Sequence, residues 1–556
     1  MNPGKAFRIV PLLGLVLLAL WSGAGTAAAH AVLVGSDPAY GAMLEHAPER
    51  LSVSFDEPVT AAADAISVLD SEGRRADGGG LSTADGGRTL LVPLRSGLSN
   101  GTYLLGWSLL SADGHLVSGS IVFGIGVPPD LSVSTPPPDP LRAALDTVVR
   151  LLTGLGYAGL ALGVGIPVAA RLVWPPGGRT LVARQLTWVG AATMAVTALL
   201  IFAATPGRLA GATGWSDPRV WSQSVATVIG AAAVVRFAAS WALLIGGSRS
   251  AGRGAIREVD GETGTVGAVS PHRMVLGARV RERLFGVGAI VAVAATAVSG
   301  HAVSGEFRWL ALVSTIAHLL AMAVWVGGVV LVLLAWRTDA RLRVVRAFGP
   351  VAAAAVAVVV VSGVVQSWRA VYPLAALWHT SWGLLLLAKV GLVVVALGTA
   401  VAMRRVAGGD GGSRLVRTEF GIQIAVLIVS ALLTGVAPAR DTYNPAATLQ
   451  ARLGPLTAVV DVDGTQVGRQ EFTVRLRDQA GTPVTVLEVT GQLSTGDDAS
   501  VPIEVPFRRV EPVGLGPDYF VSQSVRVPAP GQWRLRLTVV ASRVDGYAAT
   551  LRYRVW

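Results

Sequence analysis

The chain carries seven histidines and six methionines but no cysteine. This excludes disulfides, thiolate metal sites and cysteine nucleophiles. A soft or borderline metal is left with imidazole, thioether, carboxylate and amine donors. The densest donor set lies at residues 111–115, Ser-Ala-Asp-Gly-His. Asp113 and His115 are two apart, so in an extended backbone their side chains share a face and form half of a metal site. A second half comes from the mature N-terminus. Lys5 and Arg8 precede an apolar run from Ile9 to Leu20, and small residues follow up to Ala27-Ala28-Ala29. That is the pattern of a signal peptide over residues 1–29 with an A-x-A cleavage site. Cleavage after Ala29 makes His30 the first residue. Its α-amine, which titrates near about pH 8, and its imidazole offer two nitrogens to one metal.

The other donors are scattered. Glu57 reads as a strand-end carboxylate near this first site. Met43 is the lone thioether of the stretch, and His46 reads as an exposed loop residue. His301, His318 and His379 belong to a later, apolar part of the chain, and His272 to a basic loop within it.

The elements that must position these residues follow from periodicity. Short β-like runs at 51–55, 65–69, 89–94, 102–110 and 118–124 are punctuated by Gly, Asp, Ser and Asn, which predicts an antiparallel β-sandwich over residues 30–127. Residues 128–140 are rich in Pro and read as a linker. Eight apolar stretches follow, at 149–170, 185–204, 222–246, 284–300, 309–335, 348–368, 383–403 and 418–437. Most have the roughly 20 residues a bilayer crossing needs, so residues 141–437 are expected to be an eight-span all-α membrane domain. The composition agrees, with 52% hydrophobic and 15% charged residues, too apolar for an ordinary soluble enzyme.

The net charge of +11 is carried mostly by arginines between the apolar stretches, with no aromatic-basic stripe. It therefore points to membrane topology rather than nucleic-acid binding. With the first domain outside, the loops 171–184, 247–283, 337–346 and 404–417 are inside and hold three, seven, four and four arginines. The outer loops 205–221, 301–308 and 369–381 hold two, one and one. An even span count returns residues 438–556 to the outside. Alternating runs there, at 472–476, 484–489, 519–527 and 533–540, predict a second small β-sandwich, which contains no His, Cys or Met.

This topology puts His301 at the outer end of the fourth span and His379 just before the seventh, also outside. His318 lies nine residues past Trp309, about 13 Å down the fifth span. Met322 and Trp325 share its face at one-turn spacings. Ionisable groups inside a bilayer are costly and usually functional. His318 is either a ligand or a packed histidine bonded to a neighbouring helix. His301 and His379 are either metal contacts or interfacial caps. Lys389 and Glu419 either form a structural ion pair, the favoured reading, or serve a proton or ion path, and Arg236 is a further buried-looking charge near enough the inner face to snorkel.

Two stretches resemble known families. His30-Ala-Val-Leu-Val-Gly-Ser-Asp-Pro-Ala-Tyr-Gly, Ala47-Pro48, Leu51-Ser-Val-Ser-Phe-Asp-Glu57-Pro58-Val59 and Ser111-Ala-Asp113-Gly-His115 with Ser118-Gly119 resemble the CopC family over nearly the whole first domain. The resemblance implies an Ig-like or cupredoxin-like sandwich that binds Cu(II) through His30, Asp113 and His115, with Glu57 an acidic position nearby. Gly300-His301-Ala, His318-Leu-Leu-Ala-Met322-Ala-Val-Trp325-Val-Gly327-Gly328, Val361-Ser-Gly-Val-Val-Gln366, Trp382-Gly383 and Leu-Ala-Lys389 resemble the CopD family. The match is good over the last five spans and looser over the first three. Trp382-Gly383 stands where Tyr-Gly is commoner. This resemblance implies copper ligands on a transport route at His301 and His318, with Met322 and His379 as further candidates. The tail resembles the β-domain appended to some such fusions.

The expectation is a multi-pass protein of the cell membrane with both β-domains extracytoplasmic. It captures Cu(II) outside and passes copper to membrane histidines for import, homeostasis or resistance. Its partners are copper ions, the lipid bilayer and extracytoplasmic copper proteins, and not nucleic acid. No nucleophile constellation, ATP-binding Gly-rich loop or phosphorylated-Asp motif is present, so no enzyme activity is expected. Two alternatives stand beside this reading: a membrane haem or copper redox protein, and an extracytoplasmic copper-delivery protein without transport.

Overall fold

The computed structural model describes residues 31, 33–62, 65–112, 114, 116–130, 139–247, 271–300, 307–406, 411–495, 502–510, 519–522 and 525–556. The signal peptide at 1–29 and the candidate ligands His30, Asp113, His115 and His301 lie outside the described residues, as does most of the linker. The chain divides into two compact units. One is residues 1–371 with 381–441, and the other is residues 372–380 with 442–556.

The first unit begins with two facing sheets. One has the order β1-β3-β7-β6 (Leu33–Asp37, Arg50–Phe55, Thr89–Pro93, Ser82–Ala84). The other has the order β2-β9-β8-β4 (Met43–Leu44, Leu116–Ile125, Gly101–Ser111, Val59–Thr60), and β5 (Ile66–Asp70) also pairs with β8. Alternation along the strands buries Leu51, Val53, Phe55, Leu105, Trp107, Leu109, Ile121 and Phe123 between the sheets. The expected sandwich is therefore present. Its core does not end at the sheets. Val149, Ile201, Leu209, Val220 and Ile229, at helix ends of the membrane domain, join the same buried cluster. The sandwich thus packs directly on those helices.

Eight long helices follow: α1 (Pro140–Val173), α2 (Leu181–Ala210), α3 (Val228–Gly247), α4 (Pro271–Val298), α5 (Arg308–Ala335), α6 (Arg341–Ala370), α7 (Ser381–Val406) and α8 (Gly411–Thr434). Asp139 caps α1, accepting from the Leu141 N–H at 2.9 Å, with Pro140 at the first position where no donor is needed. A π-helical turn at Ala161–Gly165 interrupts α1. There Gly165 meets Gly327 of α5 so closely that a Cβ on either would strike backbone, so this crossing depends on both glycines.

Seven of the helices are long and apolar enough to cross a membrane. The eighth expected stretch, 284–300, falls in α4, which does not meet that measure among the described residues. Its first half carries Arg279, Arg281, Glu282 and Arg283, leaving only the part from Leu284 to Val298 apolar.

The second unit is β-rich. Its strands are β10 (Ala447–Leu453), β11 (Leu456–Val462), β12 (Gly468–Gln470), β13 (Phe472–Arg477), β14 (Glu488–Thr495), β15 (Ile503–Val510), β16 (Tyr519–Ser522), β17 (Val525–Val527), β18 (Gly531–Val540) and β19 (Gly546–Val555). Hydrogen bonding runs through one eight-stranded sheet, β10-β11-β13-β16-β15-β14-β18-β19, with β12-β17 as a separate pair. β15 pairs with β14 along its first half and with β16 along its second, and so joins the two halves. Strict alternation along β11, β13 and β18 supplies the core, including Phe472, Val474, Trp533, Leu535 and Leu537.

Candidate functional site

Strand register brings the segments that carry the first candidate site to one end of the sandwich. β1 starts where β3 ends, with Leu33 opposite Phe55. Ala31, next to His30, is already in the core at 4% exposure. β4 starts where β8 ends, with Val59 opposite Ser111. Glu57 lies in the turn between β3 and β4 and is buried. The chain entry after His30, the Glu57 turn and the 111–116 turn therefore meet at the same edge. Glu57 is a buried turn residue rather than the exposed strand end its position in the sequence suggested. Among the described residues no group of three metal-binding side chains is assembled.

The 111–116 turn is fastened to the membrane helices. Gly114 has a positive φ of 87°, which favours glycine, and a Cβ there would come within 3.3 Å of Ile229 on α3. Its carbonyl oxygen accepts from Arg208 Nη2 of α2 at 2.7 Å. The same nitrogen pairs with Asp146 of α1 at 2.5 Å, and Arg150 reaches Asp146 at 2.8 Å. Arg208 is only 1% exposed. Arg142 Nη1 donates to the Ser108 carbonyl at 3.4 Å, beside the same end of β8. This anchoring was not visible in the sequence, where Arg208 read as one of two arginines of an outer loop. The only signal was a cation in Pro206-Gly207-Arg208 at the end of an apolar run.

A cavity of about 260 Å³ starts at this anchor and continues between the helices. Gly114, Asp146 and Arg208 line it at one end, and His318, Met322 and Lys389 line it further in. His318 is about 15 Å along α5 from Arg308, by helix rise. Its Nδ1 lies 3.0 Å from Ser362 Oγ on α6. Ser362 Oγ donates to the Val358 carbonyl at 2.5 Å, so the hydroxyl accepts from His318 and Nδ1 carries the proton. The lone pair is then on Nε2, the form in which a neutral imidazole binds metal. Ser314 Oγ donates to the Ser362 carbonyl at 3.0 Å and holds α5 and α6 in register. Met322 and Trp325 line the same cavity one and two turns on, as their spacing predicts.

Other expectations fare differently. The Lys389–Glu419 ion pair does not form: Lys389 has no ion-pair partner among the described residues, and Glu419, although buried, does not line the cavity. Helix rotation sets the two residues apart, and spacing on separate helices does not reveal it. Arg236 is buried at 6% exposure rather than extended toward the inner face. His379 ends a short helix, Ala376–His379, in the second unit. It lies 6.4 Å, ring to ring, from Tyr443, in an aromatic cluster with Trp556 and Tyr372. It therefore belongs to a different unit from His318. The sequence reading passed over Gln366 and Gln423, which also line the cavity.

Comparison with known proteins agrees with this layout. Residues 33–126 match the CopC domain, and residues 342–433 match copper resistance protein D. The copper transport protein CutJ of Bacillus subtilis (strain 168) is 27% identical over 477 residues, covering 83% of this chain and 84% of that protein. Protein YobA of Escherichia coli (strain K12) is 28% identical over 103 residues, covering 17% of this chain and 79% of YobA. The crystal structure of CopC from Methylosinus trichosporium OB3b is 28% identical, covering 19% of this chain and all of that one, with a TM-score of 0.16. The helix that carries His318 precedes the CopD match, so the cavity is shared between the matched helices and those before them. The chain therefore carries a match to the CopC domain and a match to copper resistance protein D in one polypeptide, and is similar to CutJ along most of its length.

Proposed function

We propose that the chain captures Cu(II) outside the cell at His30, Asp113 and His115 and passes copper inward to His318 and Met322. One observation carries this reading: the cavity that reaches His318 and Met322 begins at Gly114, the residue between Asp113 and His115. An amine, two imidazoles and a carboxylate suit tetragonal Cu(II), whereas imidazole with thioether suits a softer copper centre further in. Tethering donor and acceptor in one chain raises the effective concentration of one at the other. His301, at the outer end of α4, is a further ligand on the route, and Glu57 supports the capture site from its buried turn. The chain acts as a transporter and not as an enzyme. Both β-domains are extracytoplasmic, which requires α4 to cross the membrane as the eighth span.

Two measurements on the full-length protein test this. Cu(II) titration read by electron paramagnetic resonance should give a one-to-one tetragonal signal. That signal should be lost in His115→Ala or when one residue precedes His30. Copper uptake into proteoliposomes should fall at least tenfold in His318→Ala. Uptake that is indifferent to His318→Ala while the capture signal persists would refute transport and leave extracytoplasmic delivery.

A further inference from the structure

Lys389 is a cation that a copper route does not explain. It lines the cavity about 12 Å along α7 from Ser381, at a depth comparable with His318, and makes no hydrogen bond or ion pair among the described residues. Gln423 of α8 lines the same cavity at 2% exposure, with neither Nε2 nor Oε1 hydrogen-bonded among those residues. The Nε2 of Gln366, on α6, also lacks a partner. Nearer the sandwich, Arg150 and Arg208 both engage Asp146, and Arg440 lies 4.0 Å from Asp441.

A bare copper cation at His318 would share the cavity with the Lys389 ammonium, in surroundings where like charges repel several-fold more strongly than in water. A buried amide left without partners is also costly unless something occupies the space it faces. An ammonium group and two amide N–H donors lining one cavity offer a small anion charge-assisted hydrogen bonds.

We propose that the cavity binds copper together with a small monovalent anion, a halide or a small carboxylate, held by Lys389, Gln423 and Gln366 next to the metal on His318 and Met322. The cargo is then a metal–anion pair rather than a bare cation. The metal half rests on the copper route proposed above, and the anion half can be read without copper.

The test uses copper-free, full-length protein in nanodiscs, titrated with chloride and followed by the chloride NMR linewidth. Wild type should show a saturable excess linewidth that bromide removes, with binding at least tenfold weaker in Lys389→Met. If Lys389→Met does not fold, Gln423→Leu keeps the charge and should still weaken binding several-fold. A linewidth with no saturable part, or one unchanged in both variants, overturns the proposal. Acetate that displaces chloride assigns a site for small carboxylates as well, and acetate without effect assigns a halide site; both support an anion at Lys389. Saturable chloride binding together with copper uptake indifferent to His318→Ala would remove the copper route and leave the anion site. His318-dependent uptake without chloride binding would do the reverse.

Discussion

Removing Arg208 should loosen the sandwich from the membrane helices at one point. Its Nη2 serves both the Gly114 carbonyl at 2.7 Å and Asp146 at 2.5 Å, and its side chain is 2% exposed. Deleting one partner of a buried ion pair costs about 3–5 kcal/mol when the other charge is stranded. Asp146 is not stranded here, because Arg150 remains 2.8 Å away. The loss in Arg208→Gln then reduces to the charge-assisted bonds themselves, about 2 kcal/mol. At about 1.4 kcal/mol per tenfold, that corresponds to a roughly 30-fold shift in the local opening equilibrium. Hydrogen exchange on the full-length protein in nanodiscs reads this directly. Amides around Gly114 and at the start of α3, where Ile229 packs, should exchange about 30-fold faster. The β18–β19 core of the second unit provides an internal control and should not change. Arg150→Gln removes a side chain that is 41% exposed and should cost under about 1 kcal/mol. Exchange around Gly114 that stays at the wild-type rate in Arg208→Gln, or acceleration that also reaches β18–β19, would refute the anchoring argument.

Ser362→Ala removes the acceptor that sets the His318 tautomer, and loss of such a supporting contact typically weakens metal affinity 10–100-fold. We expect uptake to show a roughly tenfold higher KM for copper, with restoration in Ser362→Thr; an unchanged KM would show that the hydroxyl does not orient the ring. Asp77 should contribute an acid limb to the stability of the sandwich. Burial alone would raise its carboxyl pKa, but the two-pronged bond from Arg75 and the Val68 N–H outweigh it and hold it below the ordinary Asp value. Its stabilisation is therefore complete above the unfolded value of about 3.9 and is lost as pH falls through the lower folded one. Thermal unfolding of Asp77→Asn should lose this limb below about pH 4, and a limb identical to wild type would contradict the assignment. Finally, reporters inserted in loops 248–270 and 301–306 should report opposite sides of the membrane; the same side for both would reduce the crossings to seven and place the two β-domains on opposite faces.

Much of the architecture was legible because it rests on short-range periodicity. Alternation along 51–55 and 102–110 identifies strands with one buried face, and apolar stretches near 20 residues identify spans. The 284–300 stretch is where that signal is weakest, because its apolar run continues directly from a basic helical segment. The donor residues were legible by type, and the meeting of the Glu57 turn with the end of β8 follows from a register that no local pattern encodes. Lys389 and Glu419 sit on neighbouring helices in sequence order, and only the rotation of α7 and α8 decides that one faces the cavity and the other does not.

Arg208 shows why the fusion matters for hand-off. In the sequence it is one of two arginines of an outer loop, useful only for counting topology. In the fold it fixes the backbone carbonyl between two candidate ligands to the rim of the cavity that holds His318. A flexible tether raises local concentration but leaves the donor free to face anywhere. Here the turn is held on three sides, by Arg208, by Ile229 against Gly114 and by Arg142 at Ser108. On the route proposed above, orientation as well as proximity is then built into the folded state, and a metal released from the turn would meet the cavity before bulk solvent. The corollary is quantitative. If orientation contributes, Arg208→Gln should lower copper uptake by more than it lowers Cu(II) affinity at the first site. Equal losses in both would mean that the anchor only stabilises the sandwich.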